Sequence, residues 1–159
     1  MIFVVLGSQK FQFNRLLEGL DKALKNGLIN DKVFAQIGYS DYKPENFEYR
    51  DFIDREEYKE KLKESDIVIC HGGTGVIVEA VKNEKKVIAI ARLAQYNEHV
   101  DDHQLQIISQ FAKANMISYV DEPDKIPDKL REIKEVKFEK YVSNQKTINS
   151  YLKEYIDGI

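Results

Sequence analysis

Ile67-Val68-Ile69-Cys70-His71-Gly72-Gly73-Thr74-Gly75-Val76-Ile77-Val78-Glu79-Ala80 is the stretch on which the reading of the fold turns. Its first four residues form an unbroken apolar run, the pattern of a strand buried on both faces of a parallel sheet. Three glycines in four positions follow, and the apolar periodicity then changes to that of a helix running to about Asn83. Glycines at such a junction let the backbone turn tightly and come close to a ligand. The helix that follows presents unpaired N–H groups and the positive end of its dipole, which suits a phosphate. Glu79 lies one helical turn beyond Gly75, where it is placed to accept hydrogen bonds from ribose hydroxyls. The plainer alternative is a tight turn followed by a solvated glutamate.

The same alternation extends in both directions. Ile2 to Leu6 is apolar throughout and reads as a first strand, broken by Gly7-Ser8. Phe13, Leu16, Leu17, Leu20, Ala23 and Leu24 recur at helical spacing and Gly27 stops them. Val33 to Ile37 is a second strand. The polar stretch from Ser40 to Asp66 predicts a short strand near Phe47 to Phe52 and a charged helix from Arg55 to Glu64, with Tyr58 and Leu62 facing inward. Val87 to Ala91 is a further strand, and the loop Gln95 to His99 leads into a helix from about Val100 to Ala114. Ile117 to Val120 is a last strand, and Pro123 opens a short helix. Ile148, Tyr151, Leu152, Tyr155, Ile156 and Ile159 form an apolar stripe in a helix over about 143–157, which either packs across its own sheet or docks on a partner chain. The expected architecture is α/β: one Rossmann-like, doubly wound parallel sheet of about six strands in a single domain, 1–159. In such a sheet ligands bind at the carboxyl ends of the strands near the switch in strand order. The loops after Leu6, Cys70 and Ala91 are therefore the candidates, and His71, His99 and His103 fall in or beside them.

At 159 residues the chain is large enough for one core without metal or disulfide staples. Its 24 basic and 27 acidic residues leave a net charge of −3, which argues against nucleic acid as a partner. A single cysteine, Cys70, and no Cys/His quartet point to a cytoplasmic chain without a structural zinc. Cys70 reads as a small core residue. Apolar runs of about five residues are too short to span a bilayer, which needs roughly 20, and the N-terminus lacks the features of a signal peptide. Neither G-x-G-x-x-G after the first strand nor G-x-x-x-x-G-K-[ST] is present, which argues against a Rossmann dinucleotide site and a P-loop. No D-x-D pair exists to bridge a metal to a diphosphate, and no metal is expected. His99 and His103 share the i, i+4 spacing of a zinc pair, but the H-E-x-x-H glutamate is missing. His71 either donates to a phosphate oxygen or is satisfied by local backbone.

Taken together, His71-Gly72-Gly73-Thr74-Gly75-x-x-x-Glu79-Ala80, then Lys86-Val87-Ile88-Ala89-Ile90, then Asn97 through Asp102-His103-Gln104 resemble the C-terminal nucleotide-sugar domain of family 28 glycosyltransferases. The start, Met1 to Ser8 with Phe13, Arg15 and Leu16, is similar to the small subunits of split, two-chain transferases. These include the eukaryotic subunit acting on dolichol-linked sugar and bacterial subunits of capsule and exopolysaccharide synthesis. The resemblance implies the C-terminal half of a GT-B glycosyltransferase. A UDP-sugar donor would be held by Gly72, Gly73, Thr74 and Gly75 with His71 beside them, by Glu79 at the ribose, by His103 and Gln104 near the diphosphate or sugar, and by Gly7 and Ser8 facing the cleft, with Asn97 also among the substrate-binding residues. It implies an inverting transfer of a hexose or N-acetylhexosamine to a lipid-linked acceptor. The catalytic base would lie on a membrane-anchored partner that recruits this chain to the inner face of the membrane. The chain departs from that branch at Ser8-Gln9, Leu105 and Lys85. Two alternatives remain at this point: a non-catalytic enhancer of a membrane transferase, and a nucleoside-monophosphate phosphoribohydrolase, whose G-G-x-G-T-x-x-E loop is matched at Gly72, Gly73, Gly75 and Glu79 but not at Val76.

Overall fold

The computed structural model describes residues 1–7 and 9–140. The helix expected over about 143–157, with its apolar stripe, and Ser8 lie outside these residues. Six strands alternate with five helices along the described chain: β1 Ile2–Val5, α1 Asn14–Lys25, β2 Val33–Gln36, β3 Glu48–Arg50, α2 Arg55–Glu64, β4 Ile67–Cys70, α3 Thr74–Lys82, β5 Lys86–Ala89, α4 His103–Lys113, β6 Ser118–Tyr119 and α5 Ile126–Ile133. The strands form one sheet in the order β3-β2-β1-β4-β5-β6, and every pairing is parallel. This is the doubly wound α/β sheet that the apolar runs predict. The order reverses between β1 and β4, where Val5 lies beside Cys70, so the loops after these two strands diverge and leave a crevice.

The period of two in each strand sorts the core into two layers. Ile2, Val4, Leu6, Ile67, Ile69, Ile88 and Ile90 pack with Leu16, Leu17 and Leu20 of α1 and Ile126, Leu130 and Ile133 of α5. Phe3, Val5, Val68, Cys70, Val87 and Ala89 pack on the other face with Leu62 of α2, Ile77, Ala80 and Val81 of α3, and Ile107, Ile108 and Phe111 of α4. Strands covered on both faces have no solvent side to mark with polar residues, which is why β1, β4 and β5 after Lys86 read as continuous apolar runs.

Two features differ from the sequence reading. The fourth helix begins at His103 rather than near Val100. Asp102 accepts the Ala94 amide at 2.9 Å and Asp101 accepts the His103 amide at 2.9 Å. Both carboxylates thus serve backbone groups in a turn, the use that makes aspartate a poor helix-interior residue. His99 and His103 consequently do not share a helix face. The polar stretch between β2 and β3 is also anchored inside. Asp21 of α1, 3% exposed, accepts from Tyr42 Oη at 2.6 Å, from the Glu45 amide, and from the backbone and side-chain nitrogens of Asn46. Burial opposes ionisation of this carboxyl, yet these donors outweigh it and hold it below the usual aspartate range.

Because the folded value is depressed, the contribution of Asp21 is present above the ordinary value near 4 and is lost as pH falls through the folded one. Asp21→Ala should therefore lower unfolding free energy at pH 7 by about 1–3 kcal/mol, the effect of leaving buried donors unpaired. The gap from wild type should narrow in urea titrations below about pH 4. Equal urea midpoints at pH 7 would show that the carboxylate does not hold the loop.

Candidate functional site

The crevice at the carboxyl ends of β1, β4 and β5 is built around the imidazole of His71, which leaves β4 one residue after Cys70. The ring lies between two glycines. A Cβ at Gly7 would sit 2.7 Å from His71 Nε2, and one at Gly73 would sit 2.3 Å from its Cε1. A Cβ at Gly72 would come within 2.6 Å of Gln104 Cβ. Glycine at these positions is required by the protein's own side chains. Gly75 differs, because a Cβ there meets nothing within 4 Å among the described residues. It is exposed in the first turn of α3, where glycine is less stable than alanine by roughly 0.5–1 kcal/mol.

Gln104, at the start of α4, joins the three loops. Its Oε1 accepts the amides of Gly72 and Arg92, each at 3.0 Å, and its Nε2 lies 3.2 Å from His71 Nδ1. With both acceptor lone pairs used, the amide nitrogen must donate to Nδ1, which places the ring proton on Nε2. Nε2 and the hydroxyl of Thr74 are buried and have no hydrogen-bond partner among the described residues. Burial, with the charge of Arg92 adding to it, pushes the imidazole down to about 3, so the ring is neutral at physiological pH. Gly73 is the N-cap of α3, and no side chain caps the first-turn amides. The loop therefore presents backbone N–H groups at a helix N-terminus beside a neutral N–H donor, an arrangement suited to an anionic oxygen.

Beneath the loops lies a charge cluster. Arg92, 2% exposed, donates to the carbonyls of Leu6, Phe11, Gln12 and Glu98, with its guanidinium 5.2 Å from the Phe13 ring centre. Glu98, fully buried, accepts Arg15 Nε at 3.0 Å and Nη2 at 3.1 Å, and the Leu93 amide at 3.0 Å. Burial pulls the Arg92 guanidinium down to about 10, with Glu98 opposing it, so it stays cationic at neutral pH. Cys70, wholly buried, has its thiol pushed up to about 12 by burial, which leaves it inert as a nucleophile.

The structure brings His71, the glycine loop, Gly7 and Gln104 together at the switch point. Glu79 faces a groove of about 760 Å³ between α2 and α3, with Gly75 at its head and Arg55, Lys59, Lys63 and Lys82 among its walls. Its carboxylate takes a two-pronged bond from Arg55, at 2.8 and 3.2 Å. Asn97 stands apart on the exposed turn before α4, in a left-handed conformation with φ of 57°. His103, half-buried, is the first residue of α4. No sequence pattern marks Arg92, Glu98 or Arg55 as site residues. A buried guanidinium carries no local mark, and the only available signal was the position of Arg92 directly after a buried strand. Among the described residues, no three His, Cys, Asp or Glu side chains converge, and no helix is long and apolar enough to cross a membrane.

The sequence model of the glycosyltransferase family 28 C-terminal domain matches residues 1–157. The chain belongs to this family. This family 28 domain is 26% identical over 125 residues to the human UDP-N-acetylglucosamine transferase subunit ALG13, a match covering 74% of this chain and 11% of that protein. It is 34% identical over 58 residues to the Candida albicans subunit of the same name, covering 36% of this chain and 18% of the relative. Two solved structures share its fold. The glycotransferase of kitacinnamycin superposes with a TM-score of 0.61 at 16% identity, over 86% of this chain and 35% of the other. Acinetobacter baumannii MurG superposes with a TM-score of 0.54 at 21% identity, over 82% of this chain and 39% of the other. The family 28 domain thus spans a small part of its curated relatives and well under half of these solved chains.

The neutral, singly protonated His71 makes a measurable expectation. Long-range 1H–15N NMR spectra should show the Nε2–H tautomer, with no titration of this ring between pH 5 and 8. The unfolded chain takes up this proton near pH 6.5. Stability should therefore fall as pH drops from about 6.5 toward 3. A His71 resonance titrating near 6.5 would contradict the buried geometry.

Proposed function

We propose that this chain is the donor-binding subunit of a two-chain, inverting glycosyltransferase. It takes a hexose or N-acetylhexosamine from a UDP-sugar and passes it to a lipid-linked saccharide held by a membrane-anchored partner, in the synthesis of a surface polysaccharide or glycolipid. The chain works in the cytoplasm at the inner face of the membrane, where the partner brings it, and the base that deprotonates the acceptor belongs to that partner.

The observation that carries the reading is Gly75. Gly7, Gly72 and Gly73 are needed by His71 and Gln104, whereas nothing among the described residues requires a glycine one residue into α3. Its place at the head of the groove next to Glu79 fits a ligand that lies against the backbone there. Family membership favours a nucleotide-sugar as that ligand over the monophosphate of a phosphoribohydrolase, and two curated relatives are UDP-N-acetylglucosamine transferase subunits. A non-catalytic enhancer would have no use for the open space at Gly75.

In this reading the diphosphate rests on the first-turn amides of α3, and negative charge growing on the leaving group is met by the helix dipole and by His71 Nε2–H. Glu79 accepts from the ribose. Gln104 holds the loop and His71 in place, and Gly7, Thr74 and His103 stand nearest the donor in this reading, with Ser8 and Asn97 assigned to it by the family resemblance alone. The sequence contains no D-x-D pair, so charge stabilisation falls to these groups and to no metal.

Two experiments test this. Gly75→Ala should raise thermal stability, by up to about 1 kcal/mol, while weakening UDP binding in calorimetry by about 1–3 kcal/mol through overpacking against the ligand. A variant that binds UDP as wild type does removes the argument from Gly75. Transfer by the chain reconstituted with its partner should persist in EDTA. Activity abolished by chelation and restored by magnesium or manganese would rule out the metal-free assignment.

A further inference from the structure

We infer that Arg55 is the positioning residue for Glu79, holding that carboxylate in the orientation in which it takes the ribose hydroxyls of a nucleoside diphosphate. This rests on the donor-binding reading above and adds a residue that reading does not use.

Glu79 sits on α3 and Arg55 opens α2, 24 residues earlier in the chain. Arg55 Nη2 donates to Glu79 Oε1 at 2.8 Å and Nη1 donates to Oε2 at 3.2 Å. The glutamate is 26% exposed and the arginine 63% exposed, so this is a pair at the rim of the groove and not a core ion pair. Pairs this exposed contribute little to stability. The geometry matters more than the energy: a fork on both oxygens fixes the plane of the carboxylate, which a single contact would not.

The position of Arg55 is itself built outward from the core. Phe3 of β1 is fully buried and meets the ring of Tyr58 edge-on at 5.3 Å. Tyr58 lies under the Arg55 guanidinium, 5.5 Å from ring centre to Cζ. Asp54 caps α2 by accepting the Glu57 amide at 2.8 Å, which sets the backbone from which Arg55 departs. A line of contacts thus runs from the central strand to the carboxylate.

A carboxylate has about four lone-pair sites on its two oxygens. The fork from Arg55 uses one on each oxygen and leaves one on each. Two remaining acceptors at fixed spacing match the two donors of a vicinal diol. Without the arginine, Glu79 turns about its side-chain torsions and has to be ordered by the ligand itself. The ligand feature selected is therefore an intact ribose, in preference to a deoxyribose.

The test measures UDP and 2′-deoxy-UDP binding to the full chain by calorimetry. Wild type should favour UDP by about tenfold or more, the worth of one hydrogen bond to a charged acceptor. Arg55→Ala should bring that ratio close to one while leaving 2′-deoxy-UDP affinity within about twofold of wild type. Arg55→Lys, which keeps the charge but has no fork, should recover less than half of the ratio on a logarithmic scale. A ratio unchanged in Arg55→Ala overturns the proposal, as does an equal loss for both nucleotides, which would mean a direct contact with phosphate or a general structural role. Full recovery by lysine overturns it too, since charge alone would then suffice. If wild type binds neither nucleotide, the donor-binding reading fails and this proposal with it. If wild type binds both equally, the donor-binding reading stands and the ribose role of Glu79 and Arg55 fails.

Discussion

A single buried guanidinium holds together the loops at the carboxyl end of the sheet. Arg92 follows the apolar run Val87 to Ala91, and its charge ends beneath the switch point of the sheet. Removed from water and unpaired, such a group would be among the most destabilising a fold could contain. Here it is surrounded by the carbonyls of Leu6, Phe11, Gln12 and Glu98 and by the face of Phe13. Those carbonyls belong to chain segments that have left their strands and have no ladder to join. Arg92 thus answers two needs at once: the irregular backbone after β1 gains donors, and the loops after β1 and β5 are held at one spacing. Glu98, gripped by Arg15, supplies the counter-charge from the same loop.

Gln104 extends that hold to the third loop. Its side-chain oxygen takes one amide from the β4 loop and one from Arg92, and its nitrogen turns toward His71. The consequence is chemical as well as structural. The ring has its proton on the nitrogen that faces the two glycines, and low polarity around it keeps it neutral. A donor that does not titrate near neutral pH keeps the same strength through small shifts in acidity, which would suit the diphosphate of the proposed ligand. The uncapped start of α3 adds backbone donors with the same property.

The glycine cluster shows why counting glycines is a weaker guide than locating them. Gly7 and Gly73 make room for His71, and Gly72 makes room for Gln104. These three are consequences of packing within the protein. Gly75 meets no neighbour among the described residues, and it is the glycine of the loop on which the proposed ligand rests. The four are indistinguishable in composition, and their different reasons appear only when neighbours from other elements are in place.

The sequence by itself determined the class of fold and placed the glycine turn at the carboxyl end of the sheet. Strands covered on both faces favour apolar residues at consecutive positions, so β1, β4 and the Val87–Ala89 part of β5 are legible as runs, and the glycine turn marks the strand-to-helix junction in the same local way. Family 28 membership was legible too, because its motif is contiguous from His71 to Ala80. The tertiary structure alone decided which polar residues go inside and whom they meet. Arg92 finds its carbonyls as many as 86 positions away, Arg55 finds Glu79 24 positions away, and Asp21 meets the loop at Tyr42 to Asn46. The fourth helix starts at His103 because Asp101 and Asp102 turn back to backbone amides. Periodicity carries no record of such choices: apolar burial is set by a residue's own side chain, whereas the burial of a charge depends on partners that only the folded chain brings within reach.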